Sequence, residues 1–266
     1  MRAPDSASLQ AGIEAVVREA GALALRAREA SPKSWSKQGG SPVSDADIAV
    51  DNFLREHLMQ LAPDVGWLSE ETEDDRARLH APRIWVVDPI DGTRAFLSGR
   101  HDWSISVALV ENGRPVIAAI FAPVQDAFYA AAAGSPTTRN GIAVTANSGA
   151  SLDGIKAAGP KPMLERLAKH APDLVMEPKV FSLALRLTRV AEGTLDLAFA
   201  SINSHDWDLA AADLLVHQAG GALTTFAGQT LVYNRADPVH GALVAAGRSR
   251  HEAFLVLVRE KSQAFA

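Results

Sequence analysis

The sequence predicts a mixed α and β fold, on three observations. Apolar side chains recur at helical spacing from Ser8 to Ala30. Two apolar runs flank Asn112-Gly113, the dipeptide that turns a β-hairpin. From about residue 150 helical and short strand-like segments alternate. Taken in order, the first helix rests on Leu9, Ile13, Val16, Ala20, Leu23 and Ala24. The Ser, Gly and Pro of "SPKSWSKQGGSPVS", residues 31–44, read as a loop. A second helix fits Asp45 to Leu61, capped by Ser44 and stopped by Pro63. "VGWLSEE" reads as a short strand running into acid, and "RIWVVD" as a buried strand. That strand should end at Asp88, because a residue before proline is held extended and Pro89-Ile90 then turns the chain. Thr93 to Leu97 begins a helix. "SISVALV" and "RPVIAAIFAPV" form the hairpin, and "FYAAAAG" and "IAVTA" extend its sheet. Further helices fit residues 162–170, 181–192 and 208–219, with Met163, Met176 and Trp207 as packing residues. Neither an internal repeat nor a low-complexity segment interrupts the pattern.

Composition narrows the function. The 266 residues suffice for a sizeable core and roughly one to two domains. A net charge of -5 argues against a surface built for nucleic acid or an anionic membrane. The chain has no cysteine, which excludes disulfides, thiolate metal sites and thiol nucleophiles. "MRAPDSASLQ" lacks the apolar stretch of a secretory signal, and no apolar run is long enough to span a bilayer. The expectation is a cytoplasmic protein.

The chemistry concentrates in "WVVDPIDGTRAF", residues 85–96. Asp88 and Asp91, three apart on a bend, can converge on one cation, and the Ile90 carbonyl can add an oxygen. An all-oxygen set suits Mg²⁺. Gly92 and Thr93 stand where a phosphate oxygen can be received. The plain alternative is a turn followed by a helix cap. Three more acids stand at the edges of apolar elements: Asp47 in "SDAD", Glu70 with Glu71, and Asp208 before "LAAADLLVHQAGG". Each also has a local explanation, as a helix-dipole partner, a solvated loop and an N-cap respectively. Together they supply what a multi-metal phosphoryl-transfer site requires.

In these motifs the chain resembles the inositol monophosphatase superfamily, Mg²⁺-dependent and lithium-sensitive phosphatases. The resemblance rests on "SEE" at 69–71, "WVVDPIDGT" at 85–93 and "WDLAAADLLVHQAGG" at 207–221. Weaker matches are "SPVSDAD" at 41–47, "VAEGTLD" at 190–196 and "YNRADPVHGALVAAG" at 233–247, all in family order. It implies a layered αβαβα sandwich in one continuous unit over residues 1–266, as a homodimer. Within it, residues 1–150 would carry the metal and catalytic motifs, and residues 151–266 the substrate side and Asp208. The resemblance also implies two or three Mg²⁺ per site. Glu70, Asp88 and the Ile90 carbonyl would hold the first; Asp88, Asp91 and Asp208 the second. Glu70 would reach a weaker third, with Glu71 in support. Thr93, bonded to Asp47, would orient or deprotonate the water that attacks phosphorus in line, with no covalent enzyme intermediate.

The departures from the family pattern concern substrate. Ser201 stands where inositol-specific members carry a glutamate, and Phe181-Ser182 replaces the usual Gly-Ser before the central helix. Arg94 follows Thr93, and "SKQGGSPVSDADIAV" and "PVIAAIFAPV" look closest to the 3′(2′),5′-bisphosphate nucleotidase branch. The expected substrate contacts are therefore Gly92, Thr93, Arg94, Ser182 and Ser201. Arg94, Arg100 and Lys37 could meet a second phosphate, or be solvated surface cations. His101, His205 and His217 read as surface or substrate-edge residues, since the carboxylates already make a hard-ion site. Other readings are a phosphatase for inositol 1-phosphate or histidinol phosphate, a regulatory binding protein keeping the fold, and a structural protein whose acids are caps and turns.

Overall fold

The computed structural model describes residues 6–37 and 40–261. The first five residues, and Gln38-Gly39 of the expected loop, lie outside the described residues. Chain order begins with helix α1 (Ser6–Glu29), strands β1 (Ser34–Ser36) and β2 (Pro42–Ser44), and helix α2 (Asp45–Leu61). Then come β3 (Gly66–Ser69), β4 (Arg83–Asp91), the short α3 (Thr93–Leu97), β5 (Ser104–Glu111), β6 (Arg114–Ala122), β7 (Ala127–Ala132), β8 (Thr138–Arg139) and β9 (Ile142–Ala143). The second half holds β10 (Lys156–Ala158), α4 (Lys161–Ala168), β11 (Val175–Met176), α5 (Leu183–Ala191), β12 (Leu197–Ala200) and β13 (Ser204–His205). It ends with α6 (Asp206–Gln218), β14 (Gly221–Thr225), β15 (Val239–His240), β16 (Leu243–Gly247) and α7 (Arg248–Glu260).

The layers follow from side-chain alternation. Strands β3 to β9 form one sheet in sequence order, and β11-β10-β12-β16-β14 a second. On β4, Trp85 and Val87 point to the α1–α2 side, while Ile84 and Val86 point to α5 and α6. Strands β5 and β6 divide their residues the same way. In the second sheet Ala198, Ala200, Leu243 and Ala245 face α5 and α6, while Leu197, Phe199, Val244 and Ala246 pack with residues of α4 and α7. The result is an αβαβα sandwich with α5 and α6 as its middle layer. Every strand buried on both faces reads as an apolar run, and each large side chain so buried contributes about 1.5–3 kcal/mol. The Asn112-Gly113 turn is present, with φ of 49° and 77°, and joins β5 to β6 antiparallel. The middle-layer core draws on residues before and after 150, a position that falls between β9 and β10.

Four expectations need correction. Residues 31–44 include an antiparallel pairing, Trp35 opposite Val43, hidden by the surrounding Ser, Gly and Pro. Strand β4 does not end at Asp88. It continues through Pro89 to Asp91, with Asp88 opposite Ser106, Asp91 opposite Ser104 and a register shift between them. A bulge tolerates a proline that the ladder would reject. Met176 is 43% exposed on the two-residue edge strand β11, so it is no packing residue. Trp207 packs as expected, half-buried against the middle-layer core and stacked on His205 with ring centres 4.5 Å apart. His217 is neither a free surface group nor a site-edge group. It is half-buried, with Nδ1 2.7 Å from the buried Asp213 carboxylate, which also accepts the Tyr233 hydroxyl at 2.9 Å. That carboxylate raises the His217 pKa. No helix among the described residues is long and apolar enough to cross a membrane.

Candidate active site

The bulge at the end of β4 and the first turn of α6 bring three carboxylates together. Asp88, Asp91 and Asp208 each offer an oxygen within 4.8 Å of the others. Local bonds aim each one. Asp88 Oδ1 accepts the Ile90 N–H at 3.1 Å, closing the turn around Pro89. Asp91 accepts the Ser182 hydroxyl at 2.5 Å and the N–H groups of Leu183 and Ala184 at 3.1 and 2.7 Å. It thus sits on the N-terminus of α5, where those N–H groups have no helical partner. Asp208 is the third residue of α6 and accepts the His205 N–H at 2.6 Å, as a capping box does. Its side chain is 21% exposed, toward the pocket.

Crowding acids in a buried place has an electrostatic cost. Burial, then the charges of Glu70, Asp91 and Asp208, push the Asp88 carboxyl well above its ordinary range. Burial and the Asp91 charge do the same to Asp208. For Asp91 burial is partly offset by its three hydrogen bonds, leaving it at about 6. A hard cation among these oxygens would remove the repulsion, and an all-carboxylate and carbonyl donor set is what such an ion prefers. The residues fit a hard divalent cation by this chemistry.

Beside the three acids lies a hydroxyl bonded to a fourth carboxylate. The Thr93 hydroxyl lies 3.1 Å from Asp47 Oδ1 and 3.2 Å from the Ile90 carbonyl. Asp47 is the third residue of α2 and accepts the Ser44 N–H and hydroxyl at 2.8 and 2.5 Å. Burial raises its pKa against those bonds. Gly92 permits the arrangement. Its φ is 96°, and a Cβ there would meet Ser182 N at 3.1 Å and Asp102 O at 3.2 Å.

Glu70 lines the same pocket but lies outside the tight trio, with Oε1 2.9 Å from Lys37 Nζ. Lys37 also pairs with Glu71 at 2.6 Å, so it faces the acids rather than a second phosphate. Burial lifts Glu71 to about 7 despite this ion pair. Asp51 on α2, which the sequence reading missed, accepts the hydroxyls of Ser69 and Thr72 and so brackets Glu70-Glu71. Its signal was an acid one turn after Asp47 on the apolar face of an amphipathic helix.

The pocket encloses about 190 Å³, and Gly92, Thr93 and Arg94 line it as expected. Ser182 does not: it is fully buried, caps α5 and holds Asp91. Ser201 is exposed and absent from the lining. Arg100 is paired with Asp102 at 2.8 Å, and His101 is exposed. Lys179 and Phe181 line the pocket; Lys179 stands in no motif, and Phe181 was marked only as the departure from the usual Gly-Ser. Arg186 on α5 was also missed. It donates to the carbonyls of Phe199 and Val180 at 2.9 and 3.0 Å, near enough for Asp91 and Asp208 to feel its charge.

The profile of the inositol monophosphatase family matches residues 5–263. The chain belongs to that family. It is 33% identical over 226 residues to the inositol-1-monophosphatase of Rhizobium meliloti, covering 81% of this chain and 84% of the relative. It is 30% identical over 213 residues to the 3′(2′),5′-bisphosphate nucleotidase CysQ of Shigella flexneri, covering 74% and 82%. The extragenic suppressor protein SuhB of Bartonella henselae superposes with a TM-score of 0.81 at 24% identity, covering 93% of this chain and 97% of that one. The αβαβα sandwich is thus the family fold, and this inositol monophosphatase family member is a phosphatase.

Proposed function

We propose that the chain is a Mg²⁺-dependent phosphomonoesterase that hydrolyses a 3′(2′),5′-bisphosphate nucleotide by in-line attack of water. The observation that carries the reading is the trio Asp88, Asp91 and Asp208 beside a threonine hydroxyl bonded to Asp47. Glu70, Asp88, the Ile90 carbonyl, Asp91 and Asp208 would hold two or three Mg²⁺, with Glu71 supporting Glu70. When bound, the ions supply Lewis-acid stabilisation of the phosphoryl oxygens and of the departing alkoxide. Thr93 and Asp47 handle the proton. With its own hydrogen donated to Asp47, the Thr93 oxygen offers a lone pair to the attacking water. As the new P–O bond forms, the water proton passes to Thr93 while the hydroxyl proton passes to Asp47. The bond from phosphorus to the leaving oxygen breaks with its electron pair going to that oxygen, and the alkoxide takes a proton from solvent water, leaving phosphate and an alcohol. The raised pKa of Asp47 suits it to receive that proton. Gly92 and Thr93 border the phosphoryl group, and Arg94 meets its anionic edge. Lithium inhibition, a homodimer and a cytoplasmic location belong to the same reading.

Thr93→Ala is expected to lower kcat at least about tenfold and to change KM much less, because the hydroxyl acts on the water rather than on bound substrate. Steady-state kinetics decide it, and a pure KM effect would move Thr93 to a binding role. Substrate choice is tested by kcat/KM for adenosine 3′,5′-bisphosphate against inositol 1-phosphate. The bisphosphate should be preferred, since exposed Ser201 offers the pocket no carboxylate for vicinal hydroxyls. A preference for inositol 1-phosphate would overturn the substrate and leave the phosphatase.

A further inference from the structure

A larger cavity, about 540 Å³, opens beside the carboxylate pocket. Its walls are Arg100 to Asp102 after α3, Glu177 to Val180 ahead of α5, and Arg189 near the end of α5. Lys179 lines both cavities, and Phe181 stands in the wall of the carboxylate pocket. The Arg100 guanidinium and the Lys179 ammonium lie 4.9 and 4.6 Å from the centre of the Phe181 ring. That ring therefore holds two cations at the boundary between the cavities. Of the two acids in the larger cavity, Asp102 is already engaged: it takes the Arg100 guanidinium at 2.8 Å and the Phe181 N–H at 2.9 Å. Among the described residues, neither Lys179 nor Arg189 has a carboxylate within 4 Å. Next to a pocket of four carboxylates, the chain has built a cavity whose uncommitted charge is mainly positive.

We infer that this cavity seats a second phosphate-class dianion, bound by Lys179 and Arg189 while the scissile phosphate occupies the carboxylate pocket. Guanidinium groups present paired N–H donors that match phosphate oxygens, and a lysine adds a mobile point charge. Because Lys179 borders both cavities, one molecule carrying two phosphates can reach across. The assignment of that dianion to the substrate rests on the bisphosphate reading above; the cavity's affinity for a dianion does not.

The test has two arms on the full chain. In the first, kcat/KM for adenosine 3′,5′-bisphosphate and for adenosine 3′-monophosphate is measured with Mg²⁺ in wild type, Arg189→Ala, Arg189→Lys and Lys179→Ala. The bisphosphate-to-monophosphate ratio should fall at least about tenfold in each alanine variant, the loss of roughly one charged hydrogen bond, and largely recover in Arg189→Lys. In the second arm, melting is followed in excess chelator with inorganic phosphate or chloride at equal ionic strength. Without cations the four carboxylates repel phosphate, so the basic cavity reports alone. Phosphate should raise the melting temperature of wild type and not of the Lys179→Ala/Arg189→Ala double variant. An unchanged ratio with phosphate stabilisation lost in the double variant would show a site for a free dianion and overturn its assignment to the substrate. No change in either arm would overturn the site altogether. A wild type that does not favour the bisphosphate would sink the substrate reading by itself, with the phosphate arm still deciding the cavity.

Discussion

Asp91→Asn is expected to lower turnover at least about a hundredfold at saturating Mg²⁺, with the fold intact. The substitution is nearly isosteric but removes the charge at the centre of the trio, where a ligand and its supporting bonds each matter for positioning a metal. It also reverses one polarity. Both carboxylate oxygens of Asp91 accept hydrogen bonds, from the Ser182 hydroxyl and from two N–H groups of α5. An asparagine NH₂ turned toward those donors can accept none of them. The variant should therefore lose kcat and not merely metal affinity. Kinetics over a wide Mg²⁺ range distinguish the two, with a thermal melt to verify folding. A rate near wild type at high Mg²⁺ would remove Asp91 from the site.

Excess chelator is expected to abolish hydrolysis, and Mg²⁺ at about a hundred times its dissociation constant to raise the melting temperature by roughly 5–10 °C. Selective binding to the folded state at that concentration is worth about 2.7 kcal/mol, and each kcal/mol moves the melting temperature of a chain this size by about 2–4 °C. The cause lies in the trio. Asp88 and Asp208 stand well above the ordinary carboxylate range because they are buried together, so the metal-free fold carries a repulsion that a cation cancels. In Asp88→Asn the Mg²⁺ shift should shrink markedly. Full hydrolysis in chelator, or an identical shift in that variant, would exclude a metal held by these residues.

Much of this was legible because the informative segments obey local rules. The β4 run is apolar because both faces of its sheet are covered, and the Asn112-Gly113 turn has the positive φ that its residue types favour. Asp47 read locally as a first-turn acid and is one, while Asp208 read as an N-cap but is the third residue of α6 behind the cap His205; each accepts the N–H of its cap position. The site uses those same side chains, so the local and functional explanations do not compete. What escaped was tertiary. Trp35 pairs with Val43 across Gly- and Ser-rich sequence, a partnership that composition conceals. Ser182 looked like a substrate contact but is turned inward to hold Asp91. Lys37 read as a solvated cation or a second-phosphate ligand, yet a strand pairing hidden in the sequence delivers it to Glu70 and Glu71. Lys179 and Arg189 are ordinary surface letters until the fold places them around one cavity.

The middle layer carries a consequence for how the protein comes into being. Asp91 is seated on the start of α5, and Asp208 opens α6, which packs against α5 between the two sheets. During synthesis Glu70, Asp88 and Asp91 leave the ribosome long before either helix exists. The acids of the first sheet then have no N–H groups to satisfy Asp91 and no Asp208 to complete the trio. Contacts this distant along the chain close late, because their loop entropy must be met first. A partial chain that stops before α6 therefore lacks the complete site, and the catalyst exists only once the middle layer is in place.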